Sequence, residues 1–293
     1  LITVMFVNKI GFTQSFSITI DDPSIKQTSA LSSEKIDLAI LEALEKHQTK
    51  AALFVCTKRV NSPRGRELLN RWNKAKHLIA NHTENHWYYH SKKYSSQDFI
   101  LDIEKAHKKL KDYSTFSRLF RFPFLKAGNS EEKRDSIRDW LEENQYSHGY
   151  VTIDASDWYI SLRLEQRLKA NPNADLEGYK DFYLQHMLDR AHYYNDLAKK
   201  TLGRDVSHTL LIHHNILNAL FLSDLIEHFK KNGWKLIDAD EAFKDSVFTS
   251  RPKILPAGES IIWSLAKEAG NKTLRYPAED GRYEKEKMDK LGL

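Results

Sequence analysis

The chain has 293 residues, and its 45 Lys and Arg against 40 Asp and Glu give a formal net charge of +5. These charges are mixed along the sequence without a long basic run, which argues against nucleic acid as a partner. The single cysteine, Cys56, excludes an internal disulfide, and no segment approaches the roughly 20 apolar residues of a membrane-spanning helix. The length is within reach of one barrel-type domain.

The first residues, LITVMFV within 1–14, are apolar and allow three interpretations. They could be the remains of a signal-peptide core, a first β-strand or a chance apolar start. The first interpretation leads us to expect a secreted or periplasmic protein.

Short runs of β-branched and aromatic residues then alternate with longer amphipathic stretches. The helical stretches begin with residues suited to helix starts, such as Ser32 or Ser33 at an N-cap and Pro63 in a first turn. The alternation predicts parallel strands joined by helices, as in a doubly wound sheet or a (β/α) barrel. We predict strands over 16–20, 50–55, 77–81, 116–122, 147–154, 209–214 and 234–238, and helices over 32–47, 63–75, 95–113 and 129–144.

Two segments do not follow this alternation. A helical insertion rich in Tyr, His and Arg is predicted over 160–203, between the fifth and sixth strands. From Arg251 the composition changes to proline, glycine and mixed charge, so 251–293 is predicted to be a C-terminal extension that packs on the barrel. We therefore predict a single α/β domain over 15–250 with these two additions.

The stretch NHTENH at 81–86 places His82 and His86 four residues apart. If the stretch is helical, both imidazoles lie on one face and can reach one metal ion. The spacing alone is weak, because 13 histidines produce such pairs by chance and His86 and His90 form a second one. Thr83 and Glu84 are expected to be helix-start residues, and His90 a bystander.

Polar residues follow the predicted strands at their carboxyl ends, which is the edge where α/β proteins build active sites. Coincidence explains this shared placement poorly, so it favours a functional site. These residues are Asp21, Asp22, His82, His86, Arg121, Asp154, Asp157, His213 and His214.

The residue types fit a metal-dependent hydrolase. His82, His86 and one carboxylate would bind a divalent metal, leaving a position open for water. Of the adjacent Asp21 and Asp22, one could bind the metal while the other acts as a base.

The remaining side chains fit acid–base chemistry. Arg121 would keep the base ionised, and His213 could protonate a leaving group with Asp157 fixing its tautomer. Each residue also has a purely structural alternative. Paired aspartates occur in turns, an arginine near a strand end forms surface ion pairs, Asp157 could cap a helix, and His213 could be a core histidine.

The order of these motifs resembles that of the NodB-homology polysaccharide deacetylases, carbohydrate esterase family 4. The resemblance covers roughly residues 15–240 and implies a distorted (β/α)7 barrel. The motifs that carry it are TIDDP (19–23), HTENH (82–86), RFPF (121–124), DASDW (154–158) and LLIH (210–213).

The resemblance also implies a role for each matching residue. The metal would be held by Asp22, His82 and His86. Asp21 would be the catalytic base, positioned by Arg121, and His213 the general acid, tuned by Asp157. The backbone N–H of Phe124 would bind the oxyanion, and Trp158 and Leu211 would line the acetyl pocket.

The implied reaction is hydrolysis of an N-acetyl, or an O-acetyl, group on a polysaccharide such as chitin or peptidoglycan. The metal would be Zn²⁺, with Co²⁺, Ni²⁺ or Mn²⁺ as substitutes. The aromatic residues Trp87, Tyr88 and Tyr89 could stack on sugar rings or pack inside the protein.

The sequence departs from the family pattern at three places. Pro23 stands where the family usually has Gly, and the RFPF motif replaces a commoner form with two prolines and a tyrosine. His214 stands where Asp is more usual. His214 gives a second candidate acid, and we favour His213 for its register with Leu211. Two other functions stay open: a barrel glycosidase with paired carboxylates, and a catalytically silent carbohydrate-binding relative.

Overall fold

The computed structural model of the protein describes residues 14–293, so the apolar segment LITVMFV lies outside the described residues. A curled parallel sheet forms its centre, with strand order β6-β4-β3-β2-β1-β7. The strands are β1 Ser15–Asp21, β2 Ala52–Val55, β3 Leu78–Asn81, β4 Phe116–Phe120, β5 Lys126–Gly128, β6 Ser147–His148, β7 Ser207–His213, β8 Lys235–Leu236 and β9 Ala257–Gly258.

The sheet curls into a barrel because the chain after β6 reaches β7. Ile153 pairs in parallel with Leu210, and Leu211 N donates to Ile153 O at 3.0 Å. Strand β7 pairs with β1 along its whole length, and β8 pairs with the first two residues of β1, which β2 leaves free. The predicted α/β fold with a distorted barrel is confirmed.

The predicted fifth strand, 147–154, is only partly correct, because regular pairing ends at His148 and returns at Ile153. Between these points, side chains form hydrogen bonds with backbone groups of the segment. Gly149 O accepts from Arg121 Nε at 2.7 Å, and Thr152 N donates to Thr209 Oγ1 at 3.1 Å. The ladder is therefore interrupted by the same arginine that was predicted to be functional.

The helices surround the barrel, and their starts follow the sequence signals. Ser32 and Ser62 accept hydrogen bonds from first-turn amides, and Ser95 forms a reciprocal capping box with Asp98. The helices are α1 Ser33–Lys46, α2 Pro63–Lys74, α3 Ser96–Leu110, α4 Glu131–Glu143, α5 Asp157–Ala170, α6 Glu177–Leu202, α7 Ile216–Lys231, α8 Ala239–Ala242, α9 Ile261–Glu268 and α10 Gly281–Lys290.

Strand β1 has its two faces in different surroundings. Phe16, Ile18 and Ile20 are fully buried in the main apolar cluster with the surrounding helices. The alternate residue Thr19 is also fully buried, but it bonds to Leu210 O and to the Arg121 guanidinium. Because strand side chains alternate between faces, one face of β1 supplies core and the other leads to the polar site.

The segments outside the regular alternation pack on the barrel. Residues 160–203 are almost entirely helical, in α5 and α6, and α6 contacts both α7 and α9. In the tail, β9 pairs antiparallel with β5, α10 contacts α5, and Ile261 N donates to Val151 O at 2.8 Å. The tail is thereby joined to the turn that follows β4.

Candidate active site

A cleft of about 720 Å³ opens at the carboxyl ends of the strands. It contains all the predicted site side chains except Arg121 and Asp157, which are buried behind it. Its lining includes Asp21, Asp22, His82, His86, Phe124, Asp154, Trp158, Leu211 and His213, and also Arg59, Tyr88, Lys126, Glu259, Tyr276 and Asp280.

Asp21 ends β1 and is 3% exposed. Arg121 Nη1 donates to its Oδ1 at 2.6 Å, and the guanidinium also bonds to Thr19 and Gly149 and lies 3.8 Å from the Phe54 ring centroid. Because each of its three nitrogens donates a hydrogen bond and the side chain is buried, the arginine fixes one carboxylate oxygen of Asp21. The other oxygen, Oδ2, lies 3.6 Å from His82 Nε2, and both residues line the cleft.

Asp22, His82 and His86 form a cluster whose potential ligand atoms all lie within 4.8 Å of one another. The histidines do not share a helix, so the predicted helical pairing is wrong, as is the role of Thr83 and Glu84 at a helix start. Residues 82–86 form a loop in which Thr83 and His86 have positive φ, 68° and 57°. The loop conformation, and not a 3.6-residue period, brings the two imidazoles together.

Other members of this loop hold it in place. Asn81 accepts from Thr83 N at 2.9 Å, Thr83 Oγ1 accepts from His86 N at 3.0 Å, and Glu84 pairs with Lys109 at 2.8 Å. His90, the expected bystander, lies outside the cleft and contacts Ala257 O at 3.0 Å.

The cluster fits a divalent metal on its own chemistry. Asp22 Oδ1 is buried and has no hydrogen-bond partner within residues 14–293, while its Oδ2 lies 3.2 Å from His86 Nε2. Buried polar atoms are normally satisfied, so an unpartnered carboxylate oxygen beside two imidazoles suits a cation.

Protonation also favours metal binding. Burial lowers the pKa of His82 to about 4, so its ring is neutral at neutral pH. Its Nδ1 lies 2.8 Å from Arg121 O, which orients Nε2 as the ligand atom. Although burial opposes ionisation, the hydrogen bond from His86 and the nearby cationic groups hold the pKa of Asp22 well below its usual range.

His213 lies at the end of β7, where it is the register partner of Asp21. Its Nδ1 lies 2.6 Å from Asp157 Oδ1. Burial alone would lower its pKa, but the charge of Asp157 and this hydrogen bond raise the pKa of His213 to about 9. The ring is therefore protonated at neutral pH, as a general acid must be.

His214, the alternative acid, faces away. Its Nε2 lies 3.2 Å from Asp37 Oδ1, and its side chain is 1% exposed. Asp37 is fully buried and also bonds to Arg71 and Trp72, so this is a structural ion cluster beneath the site. The choice of His213 over His214 agrees with this geometry.

The predicted acetyl-pocket and oxyanion residues also reach the cleft. Leu211 lies on β7 and Trp158 follows Asp157 on α5. Phe124 has φ 57° and ψ 13°, and its ring centroid lies 4.6 Å from that of His86. The role of the Phe124 amide stays a prediction.

Of the three aromatic residues after the histidine loop, only Tyr88 lines the cleft, with 44% exposure. Trp87 stacks on Tyr94 at 4.2 Å between centroids, and Tyr89 is fully buried. Packing therefore explains two of them.

The tail contributes side chains to the cleft that the sequence did not predict. Tyr276, Glu259 and Asp280 line the cleft, and Glu259 pairs with Lys126 at its wall. Burial, with the charges of Glu279 and Glu259, raises the pKa of Asp154 to about 7. The change in composition at residue 251 marks the segment, but no periodic signal places it at the site.

Residues 13–140 match the model of the polysaccharide deacetylase family. No curated protein matches the sequence. No helix within residues 14–293 is long and apolar enough to cross a membrane.

Several solved structures share the fold at low identity. A carbohydrate esterase family 4 pseudoenzyme from Bacillus anthracis is 18% identical, with a TM-score of 0.54 over 79% of this chain and 66% of that one. Peptidoglycan deacetylase PdaC from Bacillus subtilis is 19% identical, with a TM-score of 0.52 over 80% and 91%. A peptidoglycan N-acetylglucosamine deacetylase domain from Eubacterium rectale is 18% identical, with a TM-score of 0.53 over 77% and 88%.

The family model covers the first three of the five motifs. The structural similarity to the solved proteins also includes the rest of the barrel. The resemblance drawn from the five motifs is thereby confirmed for residues 13–140, which make up less than half of the chain, while the similarity of the remaining residues is one of fold.

Proposed function

We propose that this protein is a metal-dependent hydrolase that removes N-acetyl groups from a glycan. One observation carries the proposal. The carboxylate of Asp21, ion-paired with Arg121, and the imidazole of His213, bonded to Asp157, end paired strands at the same register, beside a cluster suited to a metal. A base, an acid and a set of metal-binding side chains in one cleft are the components of metal-assisted amide hydrolysis.

Asp22, His82 and His86 would hold a divalent cation, which supplies Lewis-acid polarisation of a carbonyl and a water of lowered pKa. Zn²⁺ suits two imidazoles and one carboxylate, with Co²⁺, Ni²⁺ or Mn²⁺ as substitutes.

The other residues move protons. Asp21, held by Arg121, accepts a proton from the attacking water as its oxygen bonds to the acetyl carbon. His213 donates its Nε2 proton to the amide nitrogen as the carbon–nitrogen bond breaks. The products are acetate and a free amine on the sugar, and the Phe124 amide would stabilise the oxyanion between the two steps.

The cleft chemistry supports a carbohydrate substrate. Tyr88, Phe124, Trp158 and Tyr276 line it and are each between 44% and 54% exposed. Exposed aromatic faces in a polar cleft suit the apolar faces of sugar rings. Since two of the similar structures are named as peptidoglycan deacetylases, we propose an N-acetylglucosamine-containing glycan, and a secreted or periplasmic location where such glycans occur.

The test is to incubate the protein with N-acetylated chito-oligosaccharides and Zn²⁺ and to measure acetate, free amine and chain length. We expect equal amounts of acetate and amine, no shortening of the chain, and loss of both products in a chelator or in His82→Ala. His90→Ala, a loop histidine outside the cleft, is the matched control and should retain activity.

Two outcomes would overturn the proposal. Shortened oligomers without acetate would indicate a glycosidase. Saturable binding of oligomers without any product, over a range of divalent metals and glycans, would indicate a catalytically silent binding protein.

A further inference from the structure

The carboxylate of Asp157 is 1% exposed and accepts four hydrogen bonds. Its Oδ1 contacts His213 Nδ1 at 2.6 Å, and its Oδ2 accepts from His213 N at 2.9 Å. Two amide side chains from the start of α7 complete the set, Asn215 at 3.0 Å and Asn218 at 2.8 Å. A carboxylate with this many donors is fixed in both position and orientation.

Asn218 is fully buried and belongs to none of the five family-type motifs. Its Nδ2 faces three acceptors: Asp157 Oδ2, His213 O at 2.9 Å and Asn215 Oδ1 at 3.1 Å. Because only an NH₂ group can satisfy acceptors, the amide orientation is determined, and its Oδ1 must point the other way.

Asn218 Oδ1 accepts from the hydroxyl of Tyr183 at 2.5 Å. Tyr183 is fully buried on α6, within the helical insertion at 160–203. Burial and the nearby Asp157 charge raise the pKa of Tyr183, so the phenol keeps its proton and remains a donor. A chain of hydrogen bonds thus runs from the insertion through Asn218 to Asp157 and the acid.

We infer that Tyr183 and Asn218 are positioning residues for the general acid, so that the helical insertion contributes to the support of the acid through Tyr183. The inference rests on the proposed function, because it assigns the two residues to proton donation by His213. The Tyr183 hydroxyl holds the Asn218 amide in one orientation. The amide then holds the Asp157 carboxylate against His213 Nδ1, which aims Nε2 into the cleft.

The test compares Tyr183→Phe and Asn218→Ala with the wild-type protein on two substrates. The amine that leaves an N-acetylated chito-oligosaccharide must be protonated. The phenolate that leaves an activated aryl acetate is stable and needs no proton. We expect kcat on the oligosaccharide to fall about threefold in Tyr183→Phe and about tenfold in Asn218→Ala, which are parts of the roughly 10²- to 10⁴-fold that general acid–base catalysis contributes as a whole. KM and the aryl acetate rate should be unchanged, since neither side chain lines the cleft.

Tyr179→Phe is the matched control. Tyr179 is a buried tyrosine one turn earlier on α6, and its hydroxyl contacts Arg163 O at 3.4 Å and not the acid chain. Its removal should leave both rates unchanged. Tyr183→Phe deletes one oxygen atom without changing shape, so it remains informative if Asn218→Ala does not fold.

A measurement independent of catalysis separates this inference from the proposed function. The His213 Nδ1 proton in the short bond to Asp157 should give a downfield proton NMR signal, assigned by its absence in His213→Ala. We expect the signal to move upfield or broaden in Tyr183→Phe and not in Tyr179→Phe. If the wild-type protein has no deacetylase activity, the proposed function fails while this signal still tests the positioning. Equal losses on both substrates, or an unchanged signal and an unchanged kcat, would overturn the inference.

Discussion

The two sides of the cleft are built in opposite ways. The proposed metal side, Asp22, His82 and His86, comes from two short chain segments with left-handed backbone at Asp22 (φ 61°) and His86 (φ 57°). One of its buried carboxylate oxygens has no hydrogen-bond partner among residues 14–293. The acid side, Asp157 and His213, satisfies its carboxylate with four hydrogen bonds.

The difference follows from what each side must do. An unpartnered buried oxygen is unfavourable in the protein alone, so under the proposed function a metal ion would complete this side. The acid side must keep one proton on one imidazole, and it does so with protein groups only. Metal removal should therefore affect the first side, while changes of distant residues should affect the second.

The largest expected effect is on the metal side. His86→Ala removes one of three ligand side chains, so the affinity for Zn²⁺ should fall more than about 100-fold, beyond the loss typical of supporting residues. Competition with a chelating dye measures this directly. An affinity equal to that of His90→Ala would show that His86 is not a ligand.

The second effect concerns pH. The ordinary pKa of His213, 6.5, is raised to about 9, so the acid is protonated at neutral pH and its activity should fall as pH rises through about 9. The same shift contributes folding stability that is complete below about pH 6.5 and lost through about pH 9.

Asp157→Asn tests whether Asp157 raises the pKa of His213. The mutation removes the charge that opposes desolvation, and the new NH₂ group must face at least one existing donor. We expect the alkaline limb of the pH–rate profile to move to lower pH and the rate at pH 8 to fall about 100-fold. An unchanged limb would mean that another group donates the proton.

A smaller effect is expected where the tail meets the turn formed by Phe124 and Leu125. Gly258 has φ 131°, and a Cβ there would collide with the backbone of Leu125, whose carbonyl accepts from Glu259 N at 2.9 Å. Gly258→Ala should lower the free energy of unfolding by about 1–3 kcal/mol and reduce kcat, because the turn carrying Phe124 must shift.

Gly203→Ala is the control for Gly258→Ala. It also has positive φ, 70°, but no atom of the described residues lies within 4 Å of the added Cβ, and Gly203 follows α6 without lining the cleft. It should lower stability by about 1 kcal/mol without changing kcat. Equal effects of both mutations on kcat would show that the contact between Gly258 and Leu125 does not position the turn that carries Phe124.

The smallest effect should come from Tyr276. Its ring lines the cleft with Lys126 Nζ 5.5 Å from its centroid. Tyr276→Ala should raise KM for long oligosaccharides about two- to tenfold and leave kcat unchanged, whereas Tyr276→Phe keeps the ring and should keep KM. A change in kcat alone would place Tyr276 in the chemistry and not in binding.

Much of the barrel and the motif residues could be predicted from the sequence, because both depend on local patterns. Alternating strand and helix periods located β1 to β4 and the first four helices within a few residues, and polar residues at strand ends indicated the site. The interrupted fifth strand could not be predicted, because Arg121 and Thr209, far away in sequence, take its backbone groups.

What the sequence determined by itself was the set of chemical groups and the edge of the sheet where they meet. The tertiary structure decided their arrangement: a loop with left-handed residues, not a helix, joins His82 and His86, and His214 turns away to Asp37. It also decided that Tyr276 enters the cleft and that Tyr183 supports the acid. The physical reason is that hydrogen bonds and packing between residues distant in the chain leave no periodic trace in the sequence.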